Sequence, residues 1–165
     1  MQEPAGVFVV RHITGVEREG PSEVVVELSC GHHRHVRHRP PLTEHPWVLD
    51  DATTHARIGG EIECFACGQR SLPSGAEAYR STRSFDEHGV PSGLLGEHTT
   101  KDGVWGRLQV ETGELWVEFA PPLSVMVRGR PSVPVVIPPS IVHHVRLAGP
   151  VRFHVEFLRV PAQTG

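Results

Sequence analysis

Cys30-Gly31-His32-His33 and Cys64-Phe65-Ala66-Cys67 hold all three cysteines of the chain. Thiolates and imidazoles at short spacing are what Zn²⁺ selects. A Cys-x-His on one knuckle and a Cys-x-x-Cys on the other supply four soft or borderline donors. Both thiolates of one C-x-x-C can reach a single tetrahedral ion. The fourth donor is His32 or His33, with His35 and His38 further off. His32 is favoured because alternate residues of an extended strand share a face, which sets it beside Cys30. The expected set is Cys30, His32, Cys64 and Cys67 around a structural zinc, a closed site that contributes folding energy and no catalysis. The competing reading is a buried, inert Cys30 with a Cys64/Cys67 redox pair, but no βαβ pattern surrounds that pair.

A second constellation lies in the other half. His98 and His143 each stand beside a β-type stretch. Glu156 is the candidate third ligand, since two imidazoles and a carboxylate suit Fe²⁺ or Zn²⁺. Alternation places Glu156 opposite Val155 and Phe157, so an apolar barrel lining would turn its carboxylate outward toward Arg152. His144 should face away from His143. Lys101 is the one lysine among sixteen basic residues. A compact ammonium three residues after His98 is a candidate catalytic or anion-orienting group; the alternative is a surface pair with Asp102 or Glu97.

The elements that must position these groups read as β. Residues 7–12 and 23–28 are β-branched runs, expected to form a hairpin through a turn at 15–23. Pro40-Pro41 interrupts regular structure, and 50–62 is a short helix or a loop. Gly68 is expected in a left-handed turn closing the Cys64–Cys67 knuckle. Residues 69–76 (QRSLPSGA) read as a linker. Beyond it, strands are expected at 104–110, 114–119, 123–128, 133–137, 141–147 and 151–158, with turns at Gly103, Gly113, Pro121-Pro122, Gly129, Pro138-Pro139 and Gly149-Pro150. Short strands at this spacing suggest a sandwich or barrel. The expected division is a metal-binding domain at 1–68, a linker at 69–76 and a barrel at 77–165.

Composition narrows the rest. At 165 residues, two domains would each be small, and a metal would help the smaller. A net charge of −3 gives no general case for nucleic acid or an anionic membrane. The basic strip Arg34, Arg37, Arg39 offers a phosphate contact or, more simply, a solvated or internally bonded face. The start, Met-Gln-Glu-Pro-Ala-Gly, has neither a basic nor an apolar leader region, and no apolar run reaches membrane-spanning length. A reducing, cytoplasmic compartment is expected from three cysteines in a metal-like pattern.

Cys30-Gly31-His32, Val36-Arg37-His38-Arg39-Pro40-Pro41, Pro46-Trp47-Val48 and Cys64-x-x-Cys67 resemble a small bacterial domain of unknown function over about residues 5–68. The resemblance implies a zinc-ribbon-like module and no activity. In the second half, Gly93-Leu94-Leu95, His98-Thr99-Thr100-Lys101-x-Gly103-Val104-Trp105-Gly106, Gly113-Glu114-Leu115, Ile137-Pro138-Pro139, His143-His144-Val145 and Gly149-Pro150-Val151-Arg152-Phe153 resemble the TehB/YeaR-like cupin family over about 72–160. That family's second motif, P-x-G-x-x-H, is met by Pro138 to His143 with Ser140 in place of Gly. Its first motif keeps His98 but lacks the second His, and the usual Glu falls near Gly106. The resemblance implies a cupin, a double-stranded β-helix with a metal site in its mouth, in a tellurite-resistance-like stress protein. Methyltransferase activity is not implied, for no nucleotide-binding domain is read within these residues.

Two functions stay open at this point. One is a metal-binding stress protein. The other is a small-molecule metalloenzyme of the cupin kind (oxygenase, isomerase or hydrolase) with Zn²⁺, Fe²⁺ or another divalent ion at an open position. Small molecules or oxyanions are the expected partners, nucleic acid and membrane are not, and a homodimer through the cupin is in keeping with the family.

Overall fold

The computed structural model describes residues 7–162. The leader-free reading of residues 1–6, and the outer limits of the two expected domains, lie outside the described residues.

The first sheet is antiparallel, with β1 (Val9–Gly20), β2 (Glu23–Leu28), β3 (His33–Arg37) and β4 (Glu61–Cys64) in the order β3-β2-β1-β4. Alternation decides its faces: Ile13, Val24, Val26, Leu28 and Val36 are buried on one side. The turn expected at 15–23 shrinks to Pro21-Ser22, because β1 runs on to Gly20 and pairs with β2 as far as Glu23. Its glycines enter the ladder at register shifts near Gly15 and Gly20, bulges that bend the strand without ending it. A 3-10 turn (Pro46–Leu49) and α1 (Asp51–His55) follow β3. The Asp50 carboxylate caps α1 by accepting from the Thr53 amide at 3.1 Å.

β4 delivers Cys64, and the single helical turn α2 (Phe65–Gly68) delivers Cys67. Gly68 is not left-handed; the left-handed residues here are Gly31 and Arg70. Gly68 is required for space, since a Cβ there would lie 1.7 Å from the Val7 carbonyl oxygen. Residues 69–76 are docked: Pro73 is buried, and Leu72 and Ala76 pack on the core.

The second sheet has six strands and curls. Its order is β5 (Glu77–Ser81), β10 (His143–Arg159), β7 (Trp105–Phe119), β8 (Val125–Gly129), with β6 (Phe85–Asp86) on β10 and β9 (Val135–Ile137) on β7. Between β6 and β7 lies the short α3 (Ser92–Leu95). The strands expected at 104–110 and 114–119 are one strand, β7, and those at 141–147 and 151–158 are one strand, β10. Gly113 and Gly149-Pro150 mark bulges where the two strands cross, not turns. Gly113 has φ +78, and a Cβ on it would lie 2.1 Å from the Pro150 oxygen.

One continuous core runs through both sheets, from Val9 to Leu158. Trp105, at the start of β7, is fully buried and donates its indole N–H to the Cys30 carbonyl at 2.7 Å. Among the described residues no helix is long and apolar enough to cross a membrane.

Candidate metal centre and second-sheet pocket

Three turns of chain converge on one buried point. The β2–β3 connection brings Cys30 and His32, the end of β4 brings Cys64, and α2 brings Cys67. One donor atom from each lies within 4.8 Å of every other. Gly31, with φ +95, makes the turn between the first two; a Cβ there would lie 2.8 Å from Val160 Cγ2. Nδ1 of His32 stands 3.3, 3.4 and 3.5 Å from the sulfurs of Cys30, Cys64 and Cys67. The sulfurs of Cys30 and Cys64 are 3.9 Å apart. A tetrahedral ion with Zn–S near 2.3 Å and Zn–N near 2.0 Å has donor–donor edges of about 3.5–3.8 Å. The donor set therefore fits a metal ion such as zinc, and it is His32, not His33, that joins it; the His33 side chain is exposed.

His32 is oriented for that task. Its Nε2 lies 2.7 Å from the Ser71 carbonyl, which only accepts, so Nε2 carries hydrogen and Nδ1 faces the sulfurs. Burial works against charge on His32, yet hydrogen bonds to Cys30 and Cys64 prevail and raise its pKa to about 10. Hydrogen bonds from Cys30 and Cys67 lower the Cys64 thiol, while those to Cys30 and Cys64 raise Cys67. The cluster draws positive charge to its centre and resists successive ionisation without it. A divalent cation resolves both tendencies.

Arg11 completes the electrostatics. It is 7% exposed, yet no carboxylate meets it among the described residues. Its Nε donates to Cys67 Sγ at 3.3 Å and its Nη2 to the Pro139 carbonyl at 2.8 Å. A buried guanidinium needs an anion. A divalent ion held by three thiolates carries roughly one net negative charge.

The second site lies in the curl of the other sheet. His98 and His143 form an antiparallel backbone pair, with N···O distances of 3.0 and 2.9 Å, and their ring centroids are 4.2 Å apart. Nδ1 of His98 donates to the Gly96 carbonyl at 2.9 Å, and Nδ1 of His143 to the Ile141 carbonyl at 2.7 Å. In the neutral rings both Nε2 atoms are then lone pairs. Burial drives the His143 pKa down to about 4, with His98 and His144 adding to the fall, against the Ile141 hydrogen bond. Ser140, which stands where the cupin motif has Gly, adopts φ 59 and binds the Asp102 carboxylate through its hydroxyl.

Both histidines line a cavity of about 310 Å³. Lys101, Thr100 and Arg80 line it too, over an apolar wall that includes Leu108, Val145 and Phe157. Gly106, where the cupin pattern expects its Glu, also lines the cavity and supplies no ligand; a Cβ there would lie 3.3 Å from Ile137 Cβ. Glu156 is not brought to the histidines. It lies on the other face of β10, held by Arg107 Nε and Nη2 at 3.1 and 3.2 Å and by Gln109 at 2.9 Å. Its partner is Arg107, not the expected Arg152, which lies nearest Glu111. Among the described residues no third His, Cys, Asp or Glu donor joins His98 and His143. Two imidazoles alone fall short of the three protein ligands of catalytic zinc sites. His144 faces away and pairs with Glu118 at 3.2 Å.

Two of the three arginines of the basic strip are bonded within the fold: Arg37 pairs with Glu23 at 2.9 Å and Arg34 donates to the Glu63 carbonyl at 2.8 Å. Sequence reasoning missed Arg11, Trp105, Ser71, Arg80 and Thr100. Arg11 and Arg80 are two of many arginines, and only the pairing of distant strands singles them out.

Two family models match. Residues 15–71 match Protein of unknown function (DUF3565), and residues 80–155 match the TehB-like domain. No curated protein matches the chain. A structural-genomics target from Escherichia coli strain K12 is 21% identical, with a TM-score of 0.51, over 56% of this chain and 98% of that one. TehB from Haemophilus influenzae is 18% identical, with a TM-score of 0.49, over 53% of this chain and only 32% of that one. The cupin domain of an XRE-family transcriptional regulator from Enterobacter cloacae is 26% identical over 42% of this chain, with a TM-score of 0.35. The first likeness is one of fold.

Proposed function

We propose that this chain is a zinc-braced binding protein of the tellurite-resistance-like kind. A zinc-ribbon-like module, residues 1–68, is joined by the docked segment 69–76 to a cupin-type double-stranded β-helix at 77–165. The module has a structural role, and the barrel mouth is where a small molecule binds. The observation that carries this reading is the buried Cys30-His32-Cys64-Cys67 set with Arg11 and Trp105 packed against it. Four protein donors leave no open position, so the ion there braces and does not catalyse. The barrel has a cavity and convergent polar groups, which is what a ligand site requires. A reducing cytoplasm is the setting that keeps the three free thiols available.

X-ray absorption at the zinc edge of the intact chain tests the bracing site. Three sulfur neighbours near 2.3 Å and one nitrogen near 2.0 Å support it. An oxygen-rich shell, or two sulfurs and two nitrogens, contradicts it.

A cupin metalloenzyme is the second reading. The observation in its favour is that both Nδ1 atoms are tied to carbonyls, leaving both Nε2 lone pairs for an ion. Solvent or substrate would have to complete the set.

A further inference from the structure

We propose that the barrel pocket takes a small organic anion, a single carboxylate on a compact apolar body. This rests on the reading of that pocket as the ligand site.

Three features of the lining carry the inference. The first is its charge. Lys101 and Arg80 both line the cavity, no Asp or Glu does, and neither cation has an ion-pair partner among the described residues. Elsewhere the exposed Arg18, Arg37, Arg128, Arg146 and Arg152 have carboxylate partners while Arg39, Arg83, Arg130 and Arg159 have none among the described residues, so it is a lining with cations and no acid that sets this pocket apart. Two unmatched cations at the mouth of a low-dielectric cavity concentrate anions there.

The second feature is an orphan. Thr100 Oγ1 is buried and has no hydrogen-bond partner, and Thr100 lines the same cavity between Thr99 and Lys101. Buried hydroxyls without partners are rare and costly. A turn of the Thr100 side chain toward the cavity would let its hydroxyl meet a ligand oxygen held beside Lys101.

The third feature is the wall. Leu108, Ile137, Val145 and Val155 are buried core residues that turn an apolar surface into the cavity, with Phe157 beside them. An inorganic oxyanion would use the cations and leave this wall and most of the 310 Å³ unused, after giving up much of its hydration. A purely apolar ligand would leave the cations and Thr100 unused. Only a molecule with one anionic end and a compact apolar end meets all three features, and the volume is at the small end of ligand pockets.

The test is calorimetric titration of the intact zinc-loaded chain with three probes: 4-methylpentanoate, the neutral 4-methylpentan-1-ol, and inorganic phosphate. The carboxylate should bind about tenfold or more tighter than the alcohol, the worth of one charge-assisted hydrogen bond. Phosphate should give no binding. Lys101→Gln and Arg80→Gln, both at exposed positions, should each weaken the carboxylate about tenfold and leave the alcohol unchanged. If the alcohol matches the carboxylate, or neither variant matters, the anion inference falls while the pocket stands as a ligand site. If phosphate binds and competes, the ligand is inorganic and the inference falls. If no probe binds, the reading of the pocket falls with it.

Discussion

The guanidinium Nε of Arg11 lies 3.3 Å from the sulfur of Cys67, and the same side chain reaches the Pro139 carbonyl that precedes Ser140. This one buried cation therefore touches both the metal centre and the segment that leads to His143. Its charge is matched only if the centre is anionic, as three thiolates on a divalent ion are.

Arg11→Met should weaken metal retention and stability together. Removing one partner of a buried charge pair costs on the order of 3 kcal/mol. Zinc transfer from the intact variant to a chromogenic chelator should be markedly faster than from the parent, with a lower midpoint of thermal unfolding. An unchanged transfer rate would mean that Arg11 is not the counter-charge.

Metal removal should destabilise the second sheet as well as the first. Trp105 belongs to β7, yet it donates to Cys30 and packs edge-on against His32 at a centroid distance of 5.2 Å. A strong chelator should lower the calorimetric midpoint of the whole chain by about ten degrees or more. A transition of the second sheet that ignores the chelator would show that the contact carries no coupling.

Acid should act through His143. Its folded pKa of about 4 lies below the ordinary 6.5, so the unfolded chain binds the proton first as pH falls. The neutral, buried ring is compatible with full stability above 6.5, and that stability is lost progressively down to about 4, by at most on the order of 3 kcal/mol. Unfolding free energies at several pH values should show a shallower acid slope for His143→Gln than for the parent. Equal slopes would place the titration elsewhere.

Glu156→Gln should leave metal content untouched. The carboxylate serves Arg107 and Gln109 in a partly exposed pair whose loss costs about 1 kcal/mol or less. A lost metal equivalent in this variant would restore Glu156 as a ligand.

The legible and illegible parts of this chain divide along a physical line. Cys30, His32, Cys64 and Cys67 could be picked out because ligand chemistry is a property of residue type and short spacing, but what joins His32 to Cys30 is the turn at left-handed Gly31 and not a shared strand face. Strand alternation did put Glu156 on the face away from Val155 and Phe157. The long strands β7 and β10 could not be read, because Gly113 and Pro150 look like turn residues until their partners across the ladder are known. Gly68 is needed for space and not for a left-handed turn, and the Val7 carbonyl that requires it is not visible in sequence. Arg11, Thr100 and Arg80 acquire meaning only from what they do or do not touch.

One ion is expected on Cys30, His32, Cys64 and Cys67 and none on His98 and His143. Elemental analysis of the intact chain, purified without chelator and resupplied with Zn²⁺ and Fe²⁺, tests this most directly when run beside Cys64→Ser and His143→Ala. The prediction is one equivalent of zinc in the parent, its loss in Cys64→Ser, and its retention in His143→Ala. A metal that survives Cys64→Ser, or one that disappears only with His143, would contradict it.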